Sequence, residues 1–239
     1  MSTAEIAEGA GAALLIGAGV MAYGARAPWS TLLAPSVHHG VRTRRAVALT
    51  FDDGPSEATP KLLRALEEWG VRATFFQIGV NARRLASIAR ETAAAGHAIG
   101  NHSEEHTLLS MKRASFIYRQ LAAAQDSIER ASGVRPRWFR PPFGVRWFGL
   151  RAAQHSLGLS SVLWSTIGKD WKWPADRVVV RLLRGANNGA IFCLHDGREL
   201  ERRPDISATI EAVRRLAPAL LERGFHFETM NEILCPTTI

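Results

Sequence analysis

The 239-residue sequence predicts an α/β fold: a barrel of about seven parallel strands with helices around it. Three observations carry this. Short β-type apolar runs alternate with segments of helical period. Most helical segments stop at a glycine: Gly70, Gly96, Gly133, Gly158 and Gly224. Charged residues gather just after the C-terminal ends of the strands. The alternation implies crossover connections and hence parallel strands. Periodicity alone fits a closed barrel and an open doubly wound sheet equally well. The polar residues decide for the barrel, because clusters at the same end of successive strands converge on one rim.

The N-terminus stands apart. The stretch 10–25 is uncharged and rich in alanine and glycine, with Leu14, Leu15, Ile16, Val20 and Met21. As a helix it spans roughly 24 Å, short of a ~30 Å hydrocarbon core. Glu5 and Glu8 stand where a secretory signal would carry positive charge. It reads as a short membrane anchor or uncleaved signal-like segment, in preference to a helix docked on the domain, and is followed by a linker with Ala27-Pro28-Trp29 and Ala34-Pro35. Residues 1–39 are thus an apolar segment plus linker, and 40–236 the folded domain.

Within the domain, strands are expected at 46–51, 73–78, 97–100, 138–139, 159–164, 190–194 and 225–227. Thr59 and Pro60 read as N-cap and first residue of a helix carrying Leu62, Leu63, Leu66 and Trp69. Further helices are expected at 81–95, along the face Ile117, Leu121, Ala124, Ile128, and at 145–157, from Pro174 to Leu183, and 206–223.

Composition narrows the function classes. A chain 46% hydrophobic and 22% charged is neither disordered nor collagen-like. Thirty Lys and Arg against 22 Asp and Glu give a net charge of +8, which suits cell-wall polymer or lipid headgroups. No nucleic-acid motif accompanies the charge, so no nucleic-acid partner is expected. The two cysteines, Cys193 and Cys235, form no metal knuckle or CxxC and read as two buried thiols, with one disulfide between them as the alternative. A monomer is expected.

Chemistry resides at the strand ends. His102 and His106, four apart, would present two imidazoles on one face of a helical turn. A carboxylate from another strand end would complete a His-His-Asp metal set, and Asp52-Asp53 offers one. Adjacent carboxylates diverge, so one can bind metal while the other serves as a general base. Arg140, Asp170 and His195-Asp196 follow later strands.

The run Thr50-Phe-Asp-Asp-Gly-Pro-Ser56 resembles the first motif of the polysaccharide deacetylases, the NodB-homology carbohydrate esterases. His102-Ser-x-x-His106, Arg140-Pro-Pro-Phe-Gly144, Asp170-Trp171 and Leu194-His195-Asp196 resemble the following four, in order, over roughly residues 40–236. The resemblance implies a distorted (β/α) barrel. It implies that Asp53, His102 and His106 bind one divalent metal, zinc first, with cobalt, nickel or manganese as substitutes. Asp52 would be the general base, oriented by Arg140. His195 would be the general acid, its charge tuned by Asp170. The backbone N–H of Phe143 would stabilise the oxyanion, and Trp171 and Leu194 would wall the acetyl pocket. Two positions depart from the family pattern: Ile167 stands where an aspartate is frequent, and Cys193 where a leucine is common.

The function expected is metal-dependent removal of N-linked, or alternatively O-linked, acetyl groups from the amino sugars of an N-acetylated carbohydrate: peptidoglycan, a chitin-like oligosaccharide or another surface polysaccharide. A deformylase or deacetylase of a lipid-linked sugar and an inactive carbohydrate-binding barrel are the rivals. The substrate class points to the cell envelope and the apolar segment to a membrane. Arg26, Arg42, Arg44 and Arg45 on the domain side of that segment oppose export.

Overall fold

The computed structural model describes residues 3–235, with side chains from residue 15 onward. Helix α1 (Thr3–Arg26) leads into a curled, wholly parallel sheet of nine strands. These are β1 (Ser36–Val37), β2 (Ala46–Asp52), β3 (Thr74–Gln77), β4 (Ala98–Asn101), β5 (Trp138–Phe139), β6 (Ser160–Val162), β7 (Thr166–Ile167), β8 (Ala190–His195) and β9 (His226–Phe227). Their order is β1-β6-β5-β4-β3-β2-β8-β7, with β9 beside the start of β2. All seven expected strands are present. The two additional ones, β1 and β7, are two-residue edge strands.

The edges of this sheet meet. β6 and β7 lie near opposite ends of the order, yet only residues 163–165 join them, a reach of at most about 14 Å. Leu163 N donates to Val37 O on β1 at 2.6 Å, and Ser165 N to Ile191 O on β8 at 2.9 Å. Gly40 N donates to Gly189 O at 2.7 Å on the same seam. The result is a distorted half-barrel curled almost onto itself.

Alternation along the strands sorts side chains into two layers. On β2, Val47, Leu49 and Phe51 join the main core, and on β8 so do Ala190, Phe192 and Leu194. That core packs against α2 (Thr59–Glu67), α7 (Ala175–Arg184) and α8 (Ser207–Glu222). The opposite faces carry Ala48, Phe76, Val162 and Ile191 into the barrel interior, closed below by Met230 and Ile233 of α9 (Met230–Ile233). Nearer the rim, the same inward face carries Thr50, Asp52, Cys193 and His195. β2 is buried at every residue, so its apolar run is continuous rather than alternating.

Several helix expectations shift. Thr59 is the first helical residue rather than the cap, because its Oγ1 accepts from Ser56 N (2.9 Å) and donates to Asp196 Oδ2 (2.7 Å). The segment 81–95 is two helices, α3 (Gly79–Arg84) and α4 (Ala86–Ala94), broken at Leu85. Helix α5 (Ala114–Ser132) buries Ile117, Leu121, Ala124 and Ile128 as expected. Helix α6 (Leu150–Leu157) starts five residues late, after Gly149 at φ 85°.

Residues 27–39, read as a linker, are packed on the barrel. The fully buried Arg146 guanidinium donates to the carbonyls of Ala27 and Ser30. Ala25 and Leu33 pack against Val145. Cys193 is buried as expected, but Cys235 is exposed, because it lies beyond α9 where the chain has left the core.

Candidate active site

The parallel register builds the site. Asp52 on β2 is level with His195 on β8, and Thr50 with Cys193. Asn101 on β4 is level with Phe139 on β5, which sets Arg140 and His102 side by side. Asp53, one residue past β2, adopts φ 74°, a left-handed conformation unusual for aspartate. Asn81 Nδ2 donates to its carbonyl at 2.8 Å, and Glu199 N to its Oδ2 at 3.1 Å. The turn continues through a cis Gly54–Pro55 bond.

The helical turn expected at 102–106 is absent. This loop carries two left-handed residues, Ser103 (φ 65°) and His106 (φ 55°). Ser103 N donates to Asn101 Oδ1 at 2.8 Å, His106 N to Ser103 Oγ at 3.1 Å and Glu105 N to Gln120 Oε1 at 3.1 Å. Glu104 pairs with Arg83 of α3. Side-chain-to-backbone bonds thus hold the loop where a helix would not form. The histidines still converge: His102 Nε2 lies 3.4 Å and His106 Nε2 3.2 Å from Asp53 Oδ1.

These three side chains are buried and form a candidate metal site, with a ligand atom of each within 4.8 Å of the others. Their protonation fits a cation. Burial lowers His106 to about 4, with the His102 charge assisting, so its imidazole is neutral at pH 7. Burial opposes ionisation of Asp53, but the His102 hydrogen bond and the His195 charge hold it well below the usual carboxylate range. His102 Nδ1 lies 2.7 Å from Arg140 O; donation there would leave Nε2 as the ligand once a cation takes the place of its hydrogen bond to Asp53.

Asp52 lies beside this set. Arg140 Nη1 donates to its Oδ1 at 2.7 Å and to Thr50 Oγ1 at 2.6 Å. Arg140 Nε and Nη2 reach Val162 O and Leu163 O, and its guanidinium lies 4.1 Å over the Phe76 ring. Asp52 Oδ2 faces inward, accepting the Cys193 thiol at 3.4 Å. Across the site His195 Nδ1 donates to Asp170 Oδ1 at 2.9 Å, while Asp170 Oδ2 accepts from His195 N and Thr209 Oγ1. Burial lowers the His195 pKa, but the Asp170 charge and hydrogen bond, aided by Asp53 and Asp52, raise it to about 9. His195 is therefore an imidazolium at pH 7.

Asp52, Asp53, His102, His106, Cys193 and His195 line a cavity of about 610 Å³. Phe143, at φ 58°, sets its ring 4.7 Å from that of His106. Trp171 stands edge-on to His195 at 4.9 Å. Leu194 does not line the cavity: alternation along β8 turns it outward against Gly168 and Val178, and Cys193 takes the wall beside Ile167 and Trp164. The sequence reading missed the loop 198–201, whose Arg198, Glu199, Leu200 and Glu201 close one side. The signal was available, since this charged run follows a strand end as the other site residues do. Asp196 is buried against Thr59; burial, with Asp53 and Asp52 close, pushes it up to about 7.

A polysaccharide deacetylase family model matches residues 39–162. The chain belongs to the polysaccharide deacetylase family. The chitooligosaccharide deacetylase of Azorhizobium caulinodans is 33% identical over 198 residues, covering 79% of this chain and 94% of that protein. A peptidoglycan-N-acetylglucosamine deacetylase of Bacillus cereus is 31% identical over 201 residues, covering 80% of this chain and 69% of its own. The family 4 carbohydrate esterase of Streptomyces lividans, solved with acetate, superposes with a TM-score of 0.70 at 32% identity, covering 77% of this chain and 92% of that one. As a polysaccharide deacetylase, the chain is a hydrolase of carbon–nitrogen bonds other than peptide bonds.

Proposed function

We propose that this deacetylase removes the acetyl group from N-acetylglucosamine units of peptidoglycan or a chitin-like oligosaccharide, with one divalent metal, zinc first, held by Asp53, His102 and His106. The observation that carries the proposal is the convergence of two imidazoles and one carboxylate at the cavity wall, beside an oriented second carboxylate. The names of the relatives supply the sugar class. Three N/O ligands also accommodate cobalt, nickel or manganese.

When bound, the ion supplies Lewis-acid polarisation of the amide carbonyl and lowers the pKa of water. The chain supplies the proton transfers. Asp52, its Oδ1 held by Arg140, takes the proton of the attacking water on Oδ2. The Phe143 N–H meets the oxyanion, and one well-placed donor there is worth about 3–4 kcal/mol. The His195 imidazolium, held through Nδ1 by Asp170, gives its Nε2 proton to the leaving amine. Trp171 walls the pocket beside His195, and Cys193 with Ile167 faces the acetyl methyl group.

The test is a panel of defined chitooligosaccharides, peptidoglycan fragments and lipid-linked N-acyl sugars, assayed for acetate and formate. Acetate release from the glycans is expected. Turnover confined to the lipid-linked sugars would overturn the substrate class.

The same reading places the chain at the cell envelope. Among the described residues, no helix is long and apolar enough to cross a membrane. Leu15, Ile16 and Val20 of α1 are exposed, as are Trp29 and Leu32, an apolar face suited to lying at a lipid interface. Flotation of the full chain with anionic vesicles tests this: co-flotation is expected, and loss of binding in Leu15→Glu/Ile16→Glu identifies the face. Recovery of the wild type only in the vesicle-free fractions would refute it.

A further inference from the structure

Beside the Asp-His-His set lies a second convergent group that the hydrolytic assignment does not use as ligands. Asp52, Cys193 and His195 each place a ligand atom within 4.8 Å of the other two. The sheet creates the cluster: Cys193 and His195 share the inward face of β8, and Asp52 is level with His195 on β2. Each flanking ligand is already oriented by a second partner. Arg140 occupies Asp52 Oδ1 and leaves Oδ2 toward the thiol. Asp170 occupies His195 Nδ1 and leaves Nε2, the carboxylate–imidazole arrangement found behind metal-binding histidines.

We propose that Asp52, Cys193 and His195 form a second cation site that takes a thiophilic dication, Zn²⁺ or Co²⁺, and that filling it switches the hydrolytic site off. A mixed S/N/O set favours zinc-class ions over magnesium, calcium or manganese. The charge balances: one dication enters, and the protons of the Cys193 thiol and the His195 imidazolium leave, so the pocket's net charge is unchanged. Inhibition, which rests on the deacetylase roles of Asp52 and His195, follows because the ion occupies both the base and the acid. A leucine at position 193 would abolish the site, so the cysteine turns a wall position into a regulatory one.

The experiment titrates the metal-free full chain with Co²⁺ and follows the thiolate-to-cobalt charge-transfer absorption alongside bound-metal stoichiometry. Two ions are expected, with the charge-transfer band rising on one of them. Cys193→Ser should lose the band and bind that ion at least about 100-fold more weakly. His106→Ala should keep the band while losing the other ion. In parallel, acetate release by the wild type should fall as excess Zn²⁺ fills the site, and release by Cys193→Ser should hold at its own starting level over the same range. A single bound ion without the band overturns the proposal. So does a band that vanishes in His106→Ala, which would make Cys193 a ligand of the first centre. If the wild type releases no acetate, the deacetylase reading fails, while band and stoichiometry still decide the cation site.

Discussion

Replacing Asp170 by asparagine isolates the control of the catalytic acid. The Asp170 carboxylate accepts three hydrogen bonds, from His195 Nδ1, His195 N and Thr209 Oγ1, and is almost fully buried. Asparagine fills the same volume but carries no charge and presents one NH₂ where an oxygen accepted. His195 is raised from 6.5 to about 9 against the lowering effect of burial, with the Asp170 charge the largest contribution upward. That gap corresponds to roughly 3 kcal/mol favouring the imidazolium, at about 1.4 kcal/mol per tenfold. The protonated form is the active acid, so kcat/KM is sustained below the pKa and lost as pH rises through about 9. Loss of an adjacent opposite charge lowers such a pKa by about 1–3 pH units. Asp170→Asn should therefore move the high-pH limb down by that amount and slow the reaction by about 10²–10⁴-fold near neutrality. The assay is acetate release across the pH range on a defined oligosaccharide, with bound metal counted in each preparation. His195→Ala should abolish the limb while retaining metal. A limb unmoved in both variants would show that a group other than His195 protonates the leaving amine.

The adjacent carboxylates should separate cleanly: Asp52→Asn keeps stoichiometric metal and loses most activity, whereas Asp53→Asn loses metal first, both read by metal analysis. Arg140→Gln strands the buried Asp52 charge and should cost about 3–5 kcal/mol. At about 2–4 °C per kcal/mol, its Tm should fall by about 6–20 °C, and Asp52→Asn in the same chain should restore part of the loss. Gly54→Ala drives a Cβ into the Asp196 carboxylate and should cost about 1–3 kcal/mol in urea unfolding, with reduced metal affinity because Asp53 adjoins it.

The seven expected strands were legible because each lies in an apolar run bracketed by turn residues, and β2 is the clearest, buried on both faces. β1 and β7 were not, since Ser36–Val37 and Thr166–Ile167 each offer a single apolar residue and pair only because the sheet curls back to meet them. The metal set was legible as residue types but not as geometry. Two left-handed residues and a serine hydroxyl, rather than a helical turn, bring His102 and His106 together. The misplacement of Leu194 had a remedy in the sequence itself. Once His195 faces inward, the period of two puts Cys193 beside it and Leu194 on the helix side. Arg146 gave no signal, because its role depends on carbonyls more than a hundred residues away.

The central claim, a hydrolytic centre built on Asp53, His102 and His106, is tested most directly by stripping and restoring the metal. The chelated full chain should be folded and inactive on N-acetylglucosamine oligosaccharides, and one equivalent of Zn²⁺ should restore acetate release. His102→Ala and His106→Ala should neither retain that equivalent nor recover activity. Acetate release that survives complete removal of metal, or stoichiometric metal in both histidine variants, would contradict it.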